Sequence, residues 1–312
     1  MFANVVRVAL LLELAAWVSV GLWMADRNAW GAGTVVALVI AGMPGLRLLI
    51  VGSSHLLSWV WRSARTPGQQ LGAGSTLALV FREWLAMLAN NFLWLPFEHQ
   101  VLRADPPLSP DARIPVIVVH GYVSNRGTVC ALVRALDDAG VGPVFVPSLP
   151  LIFAPIEEFA AQLDRVLEEV TAATRQPKAI IVCHSMGGLI TRCVLAAHGA
   201  GRVHAVITLG SPHHGTVLAL LGTGANARQM RRGSEFLHGL ELREGEGGPA
   251  CPVTSLYTVH DNLVAPQDSS CLPWARNVAF HGVGHLAMLQ DRRLHRAVLD
   301  ALAAAGASVP GR

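Results

Sequence analysis

The stretch Cys183-His184-Ser185-Met186-Gly187-Gly188 is where this chain is best equipped for chemistry. An apolar, β-branched run (KAIIVCH, 178–184) leads into it, and a helical pattern (186–199) leads out. A serine at a sharp strand-to-helix turn exposes its hydroxyl as a nucleophile, and the tightness of the turn demands small residues two before and two after it. Gly187 meets the second demand and Gly188 allows close packing beneath; at the first position stands Cys183, which is small but is not glycine. A small-x-Ser-x-Gly match arises by chance, but its placement between a strand and a helix favours a nucleophile over a structural serine at Ser185.

Attack by a serine places negative charge on a carbonyl oxygen, and each backbone N–H aimed at that oxygen typically contributes ~2.7–4 kcal/mol. The residue after the nucleophile, Met186, supplies one donor. The other belongs just past the first strand, at His120-Gly121-Tyr122, where Gly121 brings the backbone close and Tyr122 N–H becomes the second donor; a simple strand-ending turn is the competing reading. Serine elbows on sheets of this type are followed by an acid and then a histidine. Of the 13 histidines, His285 sits directly after the last expected strand and before the last helix, in GVGH. His281 falls inside that strand, His295 inside the helix and His238 in a polar insertion. His213 and His214 precede any suitable acid and are expected only to line the site. Asp261, immediately after VTSLYTV, would orient the imidazole and stabilise its charged form. Asp268 is the fallback; Glu235, Glu241, Glu244 and Glu246 lie in the insertion.

These residues need a scaffold that brings distant segments to one rim, and residues 113–305 supply the pattern for it. Strands are expected at 114–119, 142–149, 178–184, 203–210, 253–259 and 277–282, with helices at 127–139, 156–174, 186–199 and 286–304. Alternation of this kind predicts a doubly wound, mostly parallel six-stranded α/β sheet with ligands at the carboxyl ends of its strands. The long stretch 212–250 interrupts it. That stretch is either a cap whose Leu218, Leu220, Leu221, Phe236 and Leu237 line an acyl pocket, or ordinary loop packing.

The rest of the chain has another character. Of 312 residues, 52% are hydrophobic and only 14% charged, against roughly 25% charged in ordinary soluble domains; the mean hydropathy is +0.43. The apolar runs 5–25 and 34–53 are each about the ~20 residues needed to cross a bilayer, which predicts a transmembrane hairpin anchor over 1–65. Trp17, Trp23 and Trp30 lie toward its connector. A cleaved signal peptide competes for the first run, but Glu13, the lack of a small-x-small site and the second run weigh against it. Glu13 and Arg47 fall at matching depths and are candidates for an ion pair, or each snorkels alone. Arg7, Arg62 and Arg65 flank the terminal side against Arg27 at the connector, which by the positive-inside tendency places the catalytic domain in the cytoplasm. Residues 66–112 read as linker plus an amphipathic helix (76–97) that lies on the membrane or packs on the catalytic domain. The net charge of +3 includes no basic run of the kind that binds nucleic acid.

Taken together, HGY after the first strand, HSMGG, TLGSPHHGT, the Asp261 loop and RNVAFHGVGHLAML resemble bacterial triacylglycerol lipases and esterases of the α/β-hydrolase superfamily, over about 113–305. The resemblance implies cleavage of carboxylic esters, such as lipid acyl esters, without a cofactor, through Ser185, Asp261, His285, Tyr122 and Met186; it does not cover the hairpin, whose apolar spans place the chain at the bacterial inner membrane. Acyl transfer or thioester cleavage by the same triad, and a non-catalytic membrane tether, are the alternatives. Some such lipases hold calcium through an aspartate soon after the histidine; here no acid appears before Asp291, so no metal is expected. Some carry a disulfide across the acid loop, which Cys251 and Cys271 would bracket, and such a bond would require an oxidising compartment.

Overall fold

A computed structural model describes residues 2–28 and 31–310; Trp30 lies outside the described residues. The apolar first run folds as α1 (Phe2–Asn28) and the second as α2 (Ala32–Val60). They pack as an antiparallel hairpin. Trp17 lies over Gly42 and Val35 against Gly21, where an added Cβ would collide, and Arg47 donates to Glu13. Both helices are long and apolar enough to cross a membrane, and only 6% and 22% of their most apolar windows are buried.

Helix α3 (Ala73–Ala89) continues through a wider π turn at Asn90–Trp94 and is followed by the short α4 (Glu98–Val101). This stretch packs against both the hairpin and the sheet domain. Trp84 donates to the Pro44 carbonyl of α2 (2.9 Å), and α3 buries Leu79, Glu83 and Ala86 while leaving Leu77, Phe81 and Leu85 exposed. Nor is the segment leading out of the hairpin a free tether. Ser63 N–H donates to Gln267 (3.1 Å) and Arg65 to the Val259 carbonyl (2.9 Å), because polar groups leaving an apolar helix find their partners on the adjoining domain.

The sheet is parallel throughout, in the order β2-β1-β3-β4-β5-β6, with β1 (Val116–Val119), β2 (Val144–Phe145), β3 (Ala179–His184), β4 (Val203–Leu209), β5 (Val253–Thr258) and β6 (Arg276–Phe280). Successive strand residues face opposite sides. Val116, Val118, Ile180 and Val182 therefore pack with α5 (Cys130–Asp138) and α10 (Arg292–Ala304). Ile117, Val119, Ile181 and Cys183 pack with α6 (Ile156–Thr174) and α7 (Met186–His198). The insertion contains a 3-10 turn (Val217–Leu220), α8 (Gly224–Gln229) and α9 (Glu235–Glu244). The chain reverses its direction of travel across the sheet between β1 and β3, so the crevice of this open sheet lies at their carboxyl ends. His120-Gly121-Tyr122 and Ser185 follow those two strands.

Candidate active site

Ser185 occupies a backbone conformation that few non-glycine residues adopt, φ 57° and ψ −126°, between the end of β3 and the first turn of α7. Such strain persists only where the surroundings over-determine it. Ser185 N–H donates to the Leu209 carbonyl of β4 (2.9 Å), and Gly188 N–H to the Ser185 carbonyl (3.0 Å). A Cβ on Gly187 would stand 2.9 Å from the Val119 carbonyl oxygen and 3.2 Å from Cys183 Cβ, so the elbow closes only with glycine there. Cys183 fits because its side chain turns into the core. Burial pushes its thiol up to about 12, leaving an inert filler rather than a second nucleophile.

Gly121 lies against the serine; a Cβ there would meet Ser185 Cβ at 2.8 Å. Tyr122 and Met186 thus flank Ser185 from β1 and α7. Neither amide donates within the described backbone hydrogen bonds outside helices and strands, and the first N–H of a helix has no partner within it. The Tyr122 hydroxyl donates to the Thr223 carbonyl (2.7 Å) and accepts from Thr223 N–H (3.0 Å), tying this loop to the insertion.

His285 Nδ1 donates to Asp261 at 2.9 Å (Oδ2) and 3.1 Å (Oδ1). Asp261 Oδ1 also accepts Leu263 and Val264 N–H, both at 2.8 Å, which fixes the carboxylate. With Nδ1 engaged, Nε2 is the ring nitrogen left for proton transfer. Burial opposes a charge on His285, but Asp261, by charge and hydrogen bond, and the nearby Glu83 together lift its pKa above the ordinary value. The neighbouring histidines go the other way. Burial pushes His120 down to about 4, and burial together with the adjacent His285 holds His184 well below the ordinary range. His184 Nε2 donates to the His285 carbonyl (3.2 Å), its ring 4.6 Å from that of His285. Asp268, the alternative acid, is exposed in the 3-10 turn Gln267–Ser270.

Two holders of His285 gave no signal in the sequence. Glu83 of α3 is fully buried, and its carboxylate accepts Leu286 N–H (2.8 Å) and Ala287 N–H (2.9 Å) directly after the histidine. Burial raises its pKa, and the two amides and His285 oppose that rise. A Cβ on Gly284 would stand 2.5 Å from Glu83, which explains the glycine before His285. Asn262 accepts His285 N–H (2.9 Å) and donates to Ser54 Oγ of α2 (2.9 Å).

Ser185, His285, His184 and Tyr122 share a mostly apolar cavity of about 450 Å³. Leu218 and Leu221 line it, as expected of the insertion. His213, His214 and Phe236 do not. His213 is fully buried, donating from Nε2 to Thr208 Oγ1 (3.1 Å), while its carbonyl accepts from Arg192 (2.7 Å). His214 is held outward by Glu241 (2.8 Å) and the Cys271 carbonyl (2.9 Å). Phe236 lines a separate surface depression beside Pro155. Leu220 is exposed and Leu237 packs in the core. A position after a strand or in the insertion does not bring these residues to the cavity: the polar partners of the histidines and the packing of α9 direct them elsewhere. In their place, Ile50, Ser53, Ser54 and Leu57 of α2 form a wall of the cavity. The polar Ser53-Ser54-His55 break at the end of an apolar run was the signal that could have found them.

Among the described residues no three of His, Cys, Asp and Glu gather as metal ligands. Asp291 pairs with Arg293 (2.7 Å) and caps α10, and Cys251 and Cys271 are not bonded to each other.

Residues 157–232 match the PGAP1-like alpha/beta domain family. The chain is similar to the lysosomal thioesterase PPT2 of Mus musculus (25% identity over 131 residues, 39% of this chain and 42% of that protein) and of Rattus norvegicus (26%, with the same coverage). It therefore spans less than half the length of these curated relatives. Among solved structures, Aspergillus fumigatus lipase B superposes with a TM-score of 0.58 at 20% identity, over 65% of this chain and 55% of that one. Bacillus licheniformis lipase BlEst2 in mature form superposes with a TM-score of 0.53 at 21% identity, over 64% and 95%. With its six-stranded parallel sheet and the helices around it, the chain has the α/β-hydrolase fold, shared with the lipases on which it superposes.

Proposed function

We propose that this chain is a membrane-anchored serine hydrolase that cleaves carboxylic esters of lipids through an acyl-enzyme. The observation that carries the reading is the strained Ser185 sharing an apolar cavity with His285, whose Nδ1 is held by Asp261. Ser185 Oγ attacks the ester carbonyl carbon while His285 Nε2 takes the hydroxyl proton. The amides of Tyr122 and Met186 stabilise the oxyanion, and Asp261 stabilises the imidazolium. Collapse breaks the carbon–oxygen bond, and the departing alkoxide takes the proton from His285. Water then repeats the sequence on the acyl-enzyme, releasing the carboxylic acid and restoring Ser185.

The two apolar helices, exposed along most of their length, support the anchor. The Arg7, Arg62 and Arg65 bias supports a cytoplasmic catalytic domain at a bacterial inner membrane. The name of the PPT2 relatives favours a second reading, thioester cleavage by the same residues. A fluorophosphonate probe tests the chemistry: it is expected to label Ser185 in the folded chain and not Ser185→Ala. Folded protein that takes no label sinks the hydrolase reading in favour of a tether. Parallel assays with p-nitrophenyl esters and acyl thioesters of graded length then separate the two substrate readings.

A further inference from the structure

The cavity at Ser185 is closed on one side by a helix long and apolar enough to lie in a bilayer. Ile50, Ser53, Ser54 and Leu57 are spaced i, i+3, i+4 and i+7, so they form a single face of α2. Leu218 and Leu221 of the insertion stand with them on the same cavity. The apolar lining continues to the surface: Leu221 is 72% exposed, Ile50 45% and Val123 39%. Elsewhere around α2, Leu49, Leu56 and Val60 are exposed apolar side chains of the kind that face lipid. One helix thus presents part of its circumference to the surroundings and another part to the nucleophile.

The depth of this wall also fits. Residues 34–53 of α2 extend about 30 Å at 1.5 Å per residue, the thickness of a hydrocarbon core. The polar break at Ser53-Ser54 follows at once, and the exposed Trp59 and Trp61 lie beyond it, as interfacial tryptophans do. Ser54 is joined through Asn262 to the backbone of His285. The hydrolytic residues therefore stand at the level where hydrocarbon gives way to ester groups. Among the described residues no Lys, Arg, Asp or Glu lines the cavity, which suits an acyl chain and a neutral ester better than a charged soluble carrier.

We propose that the groove between α2 and the 217–222 turn is the acyl-chain site of this hydrolase, filled laterally by the acyl chain of a bilayer lipid that never leaves the membrane. The proposal rests on the hydrolase and anchor readings above and adds a role for the hairpin: α2 is part of the substrate site as well as an anchor.

The test uses the full chain in lipid nanodiscs, with kcat/KM measured for p-nitrophenyl palmitate partitioned into the disc and for p-nitrophenyl butyrate. Ile50→Trp and Leu57→Trp are each expected to lower the palmitate-to-butyrate ratio at least tenfold. Leu49→Trp, at an exposed position that does not line the cavity, is expected to change it less than twofold. A second measurement needs no variant. A long-chain alkyl fluorophosphonate with a photoreactive group near the end of its chain bonds to Ser185 Oγ with loss of fluoride, the hydroxyl proton passing to the base. After irradiation and trypsin it is expected to mark the peptide 48–62. Ratios moved less than twofold in both tryptophan variants, or cross-links confined to the 212–250 insertion, overturn the acyl site while labelling and butyrate hydrolysis leave the hydrolase reading standing. Wild-type protein that neither labels nor hydrolyses either ester overturns the hydrolase reading itself.

Discussion

Ser185 and His285, the proposed nucleophile and base, are built in opposite ways. Ser185 depends on its sequence neighbours and the strands beside them: the turn between β3 and α7, Gly187 against the end of β1, and Gly121 against the serine itself. His285 sits in the loop between β6 and α10 and is held largely by groups from other segments. Asp261 grips its ring, Asn262 its backbone N–H, and Glu83, some two hundred positions earlier in the chain, the next two amides. Behind Asn262 stands Ser54 of the hairpin. One half of the site is thus made by local backbone strain, and the other by convergence of remote polar groups. Damage to the first should act on chemistry directly, whereas damage to the second should act through the position and basicity of one imidazole.

Four substitutions test that contrast. Ser185→Ala removes the nucleophile and should lower kcat by at least ~10⁴-fold with the fold intact, read by ester turnover and circular dichroism. Asp261→Asn should cost about 10⁴-fold in kcat, because the imidazole loses its correct tautomer; retained activity would show that His285 is oriented by other groups. Glu83→Gln should lower kcat/KM by roughly tenfold and also move the pH profile. The negative charge of Glu83 raises the pKa of His285, so its removal lowers that pKa, and the acid limb, where His285 must be neutral, shifts to lower pH. A loss of activity without that shift would make Glu83 a purely structural brace. Ser54→Ala removes the bond from Asn262, a neutral hydrogen bond worth about 1 kcal/mol, along with the bond from Ser54 to the Val51 carbonyl within α2, and should cost about fivefold in kcat/KM in nanodiscs. An effect as large as that of Glu83→Gln would place the hairpin closer to the base than the contrast allows.

The same division decided what could be read in advance. Strand and helix periodicity places all six strands and the flanking helices α5, α6, α7 and α10, since alternating apolar runs are a local property; α10 begins six residues later than expected, and α8 and α9 lie in the insertion, where no helix is expected. The elbow was legible for the same reason, and Asp261 and His285 followed from chain order, their Nδ1–carboxylate contact coming from the structure. Glu83 was not legible: within TLALVFREWLAML it looks like an ordinary exposed charge on an amphipathic helix, and only the third dimension buries it. His213 and His214 follow a strand end in sequence, but Thr208, Arg192 and Glu241 hold them away from the cavity; Phe236, in the insertion, is carried by α9 to a separate depression. The cavity wall from α2 is not legible in the sequence, because an apolar run of that length has the pattern of an anchor complete in itself.

The contact between Arg47 and Glu13 has a bearing on how the chain is assembled. A lone arginine or acidic residue at the centre of a translocating helix carries a penalty of about 2.5–3.5 kcal/mol, and neither helix can shed it before the other arrives. If the two helices span a bilayer as proposed, biogenesis is favoured when both leave the translocon together as a preformed pair. Grafting α2 behind a generic leader would forfeit that partnership and expose the guanidinium to hydrocarbon.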